Sequence, residues 1–251
     1  MYVSYLHQSG LSPATLVSYT CAIGYVHRLL GHKDPTSATL VQKLLAGAVK
    51  LSPKSQPRLP ITLIMLGHLT SALKFTVDNH HHRVLVHAMF TVGFFGLMRI
   101  GELTQSKHKL VPIMLHQLTI LQDKALVRIS HFKHNQKLKP VDIPLLPSPI
   151  WDICPIRSLN RYLAIRGRSP GPLFAFPGSQ PVPREFLSLH LKKALIFCGF
   201  HPDRYKSHSL RIGGASYLAE QGYTDSQIRL MGRWSSNAFI QYIRAHRAVY
   251  K

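Results

Sequence analysis

Residues 83–105 are apolar through Val84, Leu85, Phe90, Phe94, Phe95 and Leu97, without the alternation of a strand. A run of this length and spacing reads as one helix, and a helix apolar on most sides belongs inside a core. Its polar exceptions are Arg99 and Glu102, three residues apart near its end. A charge in such surroundings needs a partner or a task. Pairing with each other at helical spacing is the plain explanation, and the pair taken alone supports nothing more.

The whole chain has 251 residues, of which 45% are hydrophobic, enough for one large domain or two modest ones. Thirty-one Lys and Arg face ten acidic residues, a formal net charge of +21. A surplus this one-sided points to a polyanion, either nucleic acid or an anionic membrane. No apolar run reaches the length of a membrane span, and the N-terminus lacks a basic-then-apolar leader pattern. Nucleic acid is therefore the expected partner, with no membrane. The three cysteines, Cys21, Cys154 and Cys198, are scattered and odd in number, which fits a reducing compartment and argues against a disulfide framework or a cysteine zinc site.

Punctuation divides the chain. Residues 1–52 read as a compact helical unit. Ser12-Pro13 opens one helix that runs through Leu16, Tyr19, Ile23, Val26 and Leu30 to Gly31, and a second starts near Asp34-Pro35-Thr36. The proline-rich and basic residues 53–60 read as a linker. Residues 61–251 form the larger unit. A helix is expected near 61–77, and Asn79-His80-His81-His82 suggests a turn, since neighbouring histidines in a run do not face one metal site. Strands are expected at His116 to Leu121, Leu126 to Phe132 and Val141 to Leu145, and helices at 154–166 and 184–198. Three short helices follow Ser207, the second opened by the capping box Thr224-x-x-Gln227. The fold class is mainly α with a small antiparallel β-sheet (α+β).

The chemistry concentrates at the end. His208-Ser-Leu-Arg211 puts an imidazole and a guanidinium on one helix face, able to grip one phosphate together. Gly232-Arg-Trp234 and then Tyr242-Ile-Arg244 follow at short range. A phenol beside a gripped phosphate is a plausible nucleophile. Each residue alone has a bland reading: Lys133 as a hairpin lysine, His208 as a capping histidine, Trp234 and Tyr242 as packed aromatics. No carboxylate constellation suggests a two-metal nuclease and no P-loop pattern is present.

Order and spacing together change the weighing. Arg99 in GLMRIGEL, a strand-end lysine, His-x-x-Arg, Trp and Tyr is a set that resembles the tyrosine recombinases, or phage-type integrases, from about residue 60 onward. Residues 207–244, with GRWSS before the tyrosine, look most like recombinases of DIRS-type eukaryotic retrotransposons. The resemblance implies a tyrosine recombinase catalytic domain over 61–251 and a helical core-binding (SAM-like) domain over 1–52. The latter is short for the family, so part of it is expected to be missing. It implies Tyr242 as nucleophile, with a 3′-phosphotyrosyl link, and Arg99 and Arg211 on the phosphate oxygens. Lys133 is the implied general acid for the leaving 5′-oxygen, with Lys137 as its rival. His208 accepts a proton or a phosphate bond, and Trp234 donates its indole N–H. It further implies double-stranded DNA as partner, a homo-oligomer (tetramer) on DNA, no cofactor or metal, and a mobile-element source. The nucleus is then the expected location if the element is eukaryotic, otherwise the cytoplasm or nucleoid. Two alternatives remain: a DNA-binding remnant without catalysis, and a type IB topoisomerase, against which GRWSS and the small size argue.

Overall fold

The computed structural model describes residues 2–52, 58–105, 111–130, 139–236, 239–240 and 243. The chain divides into two compact units, Met1–Gln56 and Pro57–Lys251.

The first unit holds α1 (Tyr2–Gln8), α2 (Pro13–Leu29) and α3 (Thr39–Leu51). Ser12 caps α2, its side chain accepting from the Thr15 N–H at 3.2 Å, with Pro13 in the first turn as expected. The second helix starts later than the sequence suggests. Asp34 spends its carboxylate on the Thr36 N–H and hydroxyl, which closes a separate turn over Pro35–Ser37 before α3 begins at Thr39. Val3, Leu6, Leu16, Leu45 and Ala48 form this unit's own small core.

The second unit is built around α5 (His80–Phe95), which carries ten consecutive or near-consecutive buried positions from Val84 to Phe94. It packs against α4 (Leu63–Thr76), α7 (Pro155–Arg166) and α9 (His208–Glu220). Two expectations fail here. His80, His81 and His82 are not a turn but the first turn of α5, because Asn79 caps it by accepting from the His82 N–H at 2.9 Å. And the apolar run is not one helix to residue 105. It stops at Phe95, Leu97 takes a left-handed φ of 48°, and a short α6 spans Ile100–Leu103 with Arg99 as its N-cap residue.

The sheet has the order β1 (Leu118–Ile120), β2 (Ala125–Ile129), β3 (Val141–Leu145), all antiparallel, with Val127 opposite both Leu118 and Ile143. Ala125, Val127 and Ile129 point into the core, and the outward Arg128 pairs across the strands with Asp142 at 2.8 Å. Pro144 is tolerated because β3 lies at an edge. The first strand is shorter than expected because Leu115–Gln117 close a helical turn. A small hairpin pairs β4 (Ala175–Phe176) with β5 (Gln180–Pro181) and leads into α8 (Arg184–Phe197). After α9, Thr224 and Gln227 form the expected capping box and α10 runs Asp225–Gly232.

Candidate phosphate-binding site

The site is assembled from three stretches far apart in sequence, and the kink after α5 is its hinge. The left-handed turn at Leu97 aims that residue's carbonyl at two guanidiniums. Arg211 Nη1 donates to it, and Arg233 Nη2 donates to it at 3.1 Å. Arg211 Nη2 donates to the Gly232 carbonyl, and its guanidinium carbon lies 4.1 Å from the Trp234 ring centroid. Arg211 is 1% exposed. Trp234 in turn lies against Gly232, where any Cβ would fall 1.6 Å from the indole, so only glycine lets ring and backbone approach this closely.

Glu102 is the anion of the cluster. Its carboxylate accepts from the Arg99 N–H at 2.7 Å, from Arg99 Nη1 at 3.1 Å and from Arg233 Nη2 at 2.7 Å. Arg99 Nη2 also donates to the Arg233 carbonyl at 3.2 Å. The Arg99–Glu102 pair read from the sequence therefore exists, but it is one edge of a larger network. Arg233, 5% exposed and held at a left-handed φ of 56°, ties the kink to the end of α10. Burial pushes the Arg233 guanidinium below its ordinary value while Glu102 holds it up.

His208 opens α9 one helical turn before Arg211. Burial, then the charges of Arg211, Arg58 and Arg99, push its pKa down to about 4. It is a neutral imidazole at neutral pH, able to accept a proton. His208 and Arg99 both face a cleft of about 910 Å³ whose wall also carries Arg58, Arg184, Lys192 and Lys206.

Of the six residues singled out from the sequence, Arg99, His208, Arg211 and Trp234 come together. Lys133, its rival Lys137 and Tyr242 lie outside the described residues. The residues on either side of position 242 are placed in part: Phe239, Ile240 and Ile243 pack with Leu97, Ala215, Leu218, Ile228 and Trp234 in an apolar cluster beside Arg211. Sequence reasoning missed Arg58 and Arg233. Arg58 is brought in because the Leu59 N–H donates to the Arg204 carbonyl at 3.0 Å and the Ile61 N–H to that of Ser209 at 3.1 Å, which no spacing rule reveals. Arg184 and Lys192 were missed as well, although their spacing of eight in α8 could have marked them as one helical stripe.

No protein-family profile matches the chain, and no curated protein matches it in sequence. Solved structures do match. The chain is similar to the XerH site-specific recombinase in a post-cleavage complex with its palindromic difH substrate (TM-score 0.64, 14% identity, 99% of this chain and 69% of that one). It spans 64% of the XerH chain in the pre-cleavage complex. It is similar to the Tn1549 transposon integrase in complex with circular intermediate DNA (TM-score 0.62, 15% identity, covering 99% and 83%). It is also similar to lambda integrase, seen as a dimer bound to a COC′ core site (TM-score 0.55, 15% identity, covering 98% and 75%). The mostly helical fold with its small antiparallel sheet is the fold of the tyrosine recombinase catalytic domain.

Proposed function

We propose that this chain cleaves and rejoins double-stranded DNA as a site-specific tyrosine recombinase. The observation that carries the reading is the convergence of Arg99, His208, Arg211 and Trp234 beside one basic cleft, on a fold shared with recombinases and integrases. In the proposed step the Tyr242 oxygen attacks a backbone phosphorus and forms a 3′-phosphotyrosyl bond. The bond to the 5′-oxygen breaks, and Lys133, with Lys137 as alternative, protonates that oxygen. Tyrosine titrates near ~10, so its proton needs an acceptor. A neutral His208 can serve, and a bound phosphate offsets the arginine charges that otherwise weaken it as a base. Arg99, whose side chain is 28% exposed at the cleft, grips the phosphate. Arg211 supplies fixed positive charge from behind as negative charge develops. No metal is required by this donor set. Attack of a second strand's 5′-hydroxyl on the phosphotyrosyl phosphorus forms a new phosphodiester, and the P–O bond to Tyr242 breaks with return of the proton to the phenol, so rejoining needs no ATP.

We further infer a mobile-element source close to DIRS-type retrotransposons, assembly as a tetramer on DNA, a DNA-binding role for residues 1–52, and a nuclear location if the host is eukaryotic. One observation favours a second reading, a DNA-binding remnant without catalysis: Arg211 already spends both terminal nitrogens on backbone carbonyls. Incubation with nicked duplex DNA that traps covalent adducts decides between them. The expected result is an adduct that survives denaturant with the native chain and disappears in Tyr242→Phe. DNA binding with no adduct on any substrate supports the remnant.

A further inference from the structure

A second basic cleft, of about 610 Å³, opens between α4, α5, the helical turn Trp151–Ile153 and α7. It shares no lining residue with the cleft that holds Arg99 and His208. Lys74 enters from α4, Arg83 from α5, and Arg157 and Arg161 from α7. The wall carries one carboxylate, Asp152, and none of the four cations forms an ion pair with it or with any other described carboxylate. Like charges sharing a concave wall raise each other's energy, and a bound polyanion relieves that cost.

The rim adds a feature that simple solvation of surface charge does not explain. Trp151 is 69% exposed, and the Arg157 guanidinium carbon stands 3.0 Å from its ring centroid. His87 fixes the turn that carries it, bonding the Asp152 carbonyl at 2.8 Å. Burial lowers the pKa of His87, with Arg161 and Lys74 adding to the effect, so the bond is made by a neutral ring. An exposed indole braced by a guanidinium, next to cations without a carboxylate partner, is a platform for a base and its flanking phosphates. In a duplex the bases are stacked on one another and cannot reach the indole. An acidic peptide would use the cations and leave the indole idle.

We propose that this cleft binds a single-stranded nucleic acid segment, with a base on Trp151 and phosphates on Lys74, Arg83 and Arg161. The inference uses no residue of the candidate cleavage site and stands or falls apart from the recombinase reading. The test is fluorescence titration of the full chain with an oligo-dT of about 15 nucleotides, in excess unlabelled duplex that occupies the other cleft. Trp151→Ala and the double variant K74E/R161E alter exposed side chains, and thermal melting checks that both still fold. The expected result is quenching of tryptophan emission by oligo-dT that vanishes in Trp151→Ala, with oligo-dT affinity, read from the anisotropy of a dye on the oligonucleotide, down about 10-fold in each variant. Duplex affinity and adduct formation stay unchanged. Equal losses for duplex and oligo-dT, no quenching, or competition by polyglutamate as strong as by oligo-dT would each overturn the proposal. Absence of any adduct with the native chain, with oligo-dT binding as expected, would instead count against the recombinase reading alone.

Discussion

Two groups of arginines, one around Leu97 and one around Trp151, treat the same chemical group in opposite ways. Arg211 and Arg233 are 1% and 5% exposed, and their terminal nitrogens donate to backbone carbonyls and, from Arg233, to Glu102. Arg157 and Arg161 are exposed and meet no described carboxylate. A caged guanidinium is expensive to desolvate but keeps its place before any ligand arrives, which suits charge stabilisation in a transition state. An exposed one costs little, adapts to its ligand and is screened by salt, which suits holding a flexible polyanion. Burial, not residue type, separates the two uses.

If the caged group depends on its frame, the largest effect should come from the backbone that builds it. At Gly213 in α9 a Cβ would fall 1.7 Å from the Ile61 carbonyl oxygen and 3.1 Å from the Phe94 ring. Neither backbone can yield without moving α9 and the arginine it carries. Gly213→Ala is expected to cost about 4 kcal/mol or more, seen as insoluble protein or a collapsed melting temperature. A near-native melt would mean that α9 sits less tightly than the structure has it.

Glu102→Ala should follow. It removes the carboxylate that faces both Arg99 and Arg233, leaving a buried cation uncompensated at an expected cost of about 3–5 kcal/mol in urea unfolding. Asp142→Ala breaks the exposed pair with Arg128 and should cost under about 1 kcal/mol. Equal costs for the two would erase the distinction between caged and solvated pairs.

How much of this was legible in advance follows from the range of the interactions. Local signals carried well: the Ser12 cap, the Thr224–Gln227 box and the strand Val141–Leu145 each depend on neighbours within a few residues. The break after Phe95 did not: Gly96 caps α5 and was a stop signal within the apolar run, but nothing local announces the left-handed turn at Leu97 itself. That conformation is held by the tertiary bonds to its carbonyl from Arg211 and Arg233, more than a hundred residues away. The same long reach hid Arg233, which looked like a spacer between Gly232 and Trp234. Four of the candidate site residues were readable only through an order of residue types along the chain. Their mutual distances follow from packing that no local pattern encodes.

A smaller effect is expected from pH. His208 is depressed to about 4 in the folded chain, against an ordinary value of 6.5. Between those values the unfolded chain binds the proton first, so stability present above pH 6.5 is lost as pH falls toward 4. His87, His190 and His81 are shifted in the same direction by burial and contribute to the same decline. His208→Gln should flatten only its own share, leaving a shallower slope of melting temperature against pH. An unchanged slope would place His208 in water rather than among Arg58, Arg99 and Arg211.

The smallest effect is expected where cations are solvated. The K74E/R161E variant removes repulsion within the second cleft without opening a cavity, so its stability should lie within about 0.5 kcal/mol of the native chain. The sign is informative. With no anion present, relief of repulsion should make the variant slightly more stable at low salt. That gain should fade as salt shortens the screening length to about 8 Å near physiological ionic strength. Urea melts at two salt concentrations read the difference directly. A loss of several kcal/mol at either salt would mean that Lys74 or Arg161 is built into the fold after all, and the contrast with Arg211 and Arg233 would no longer hold.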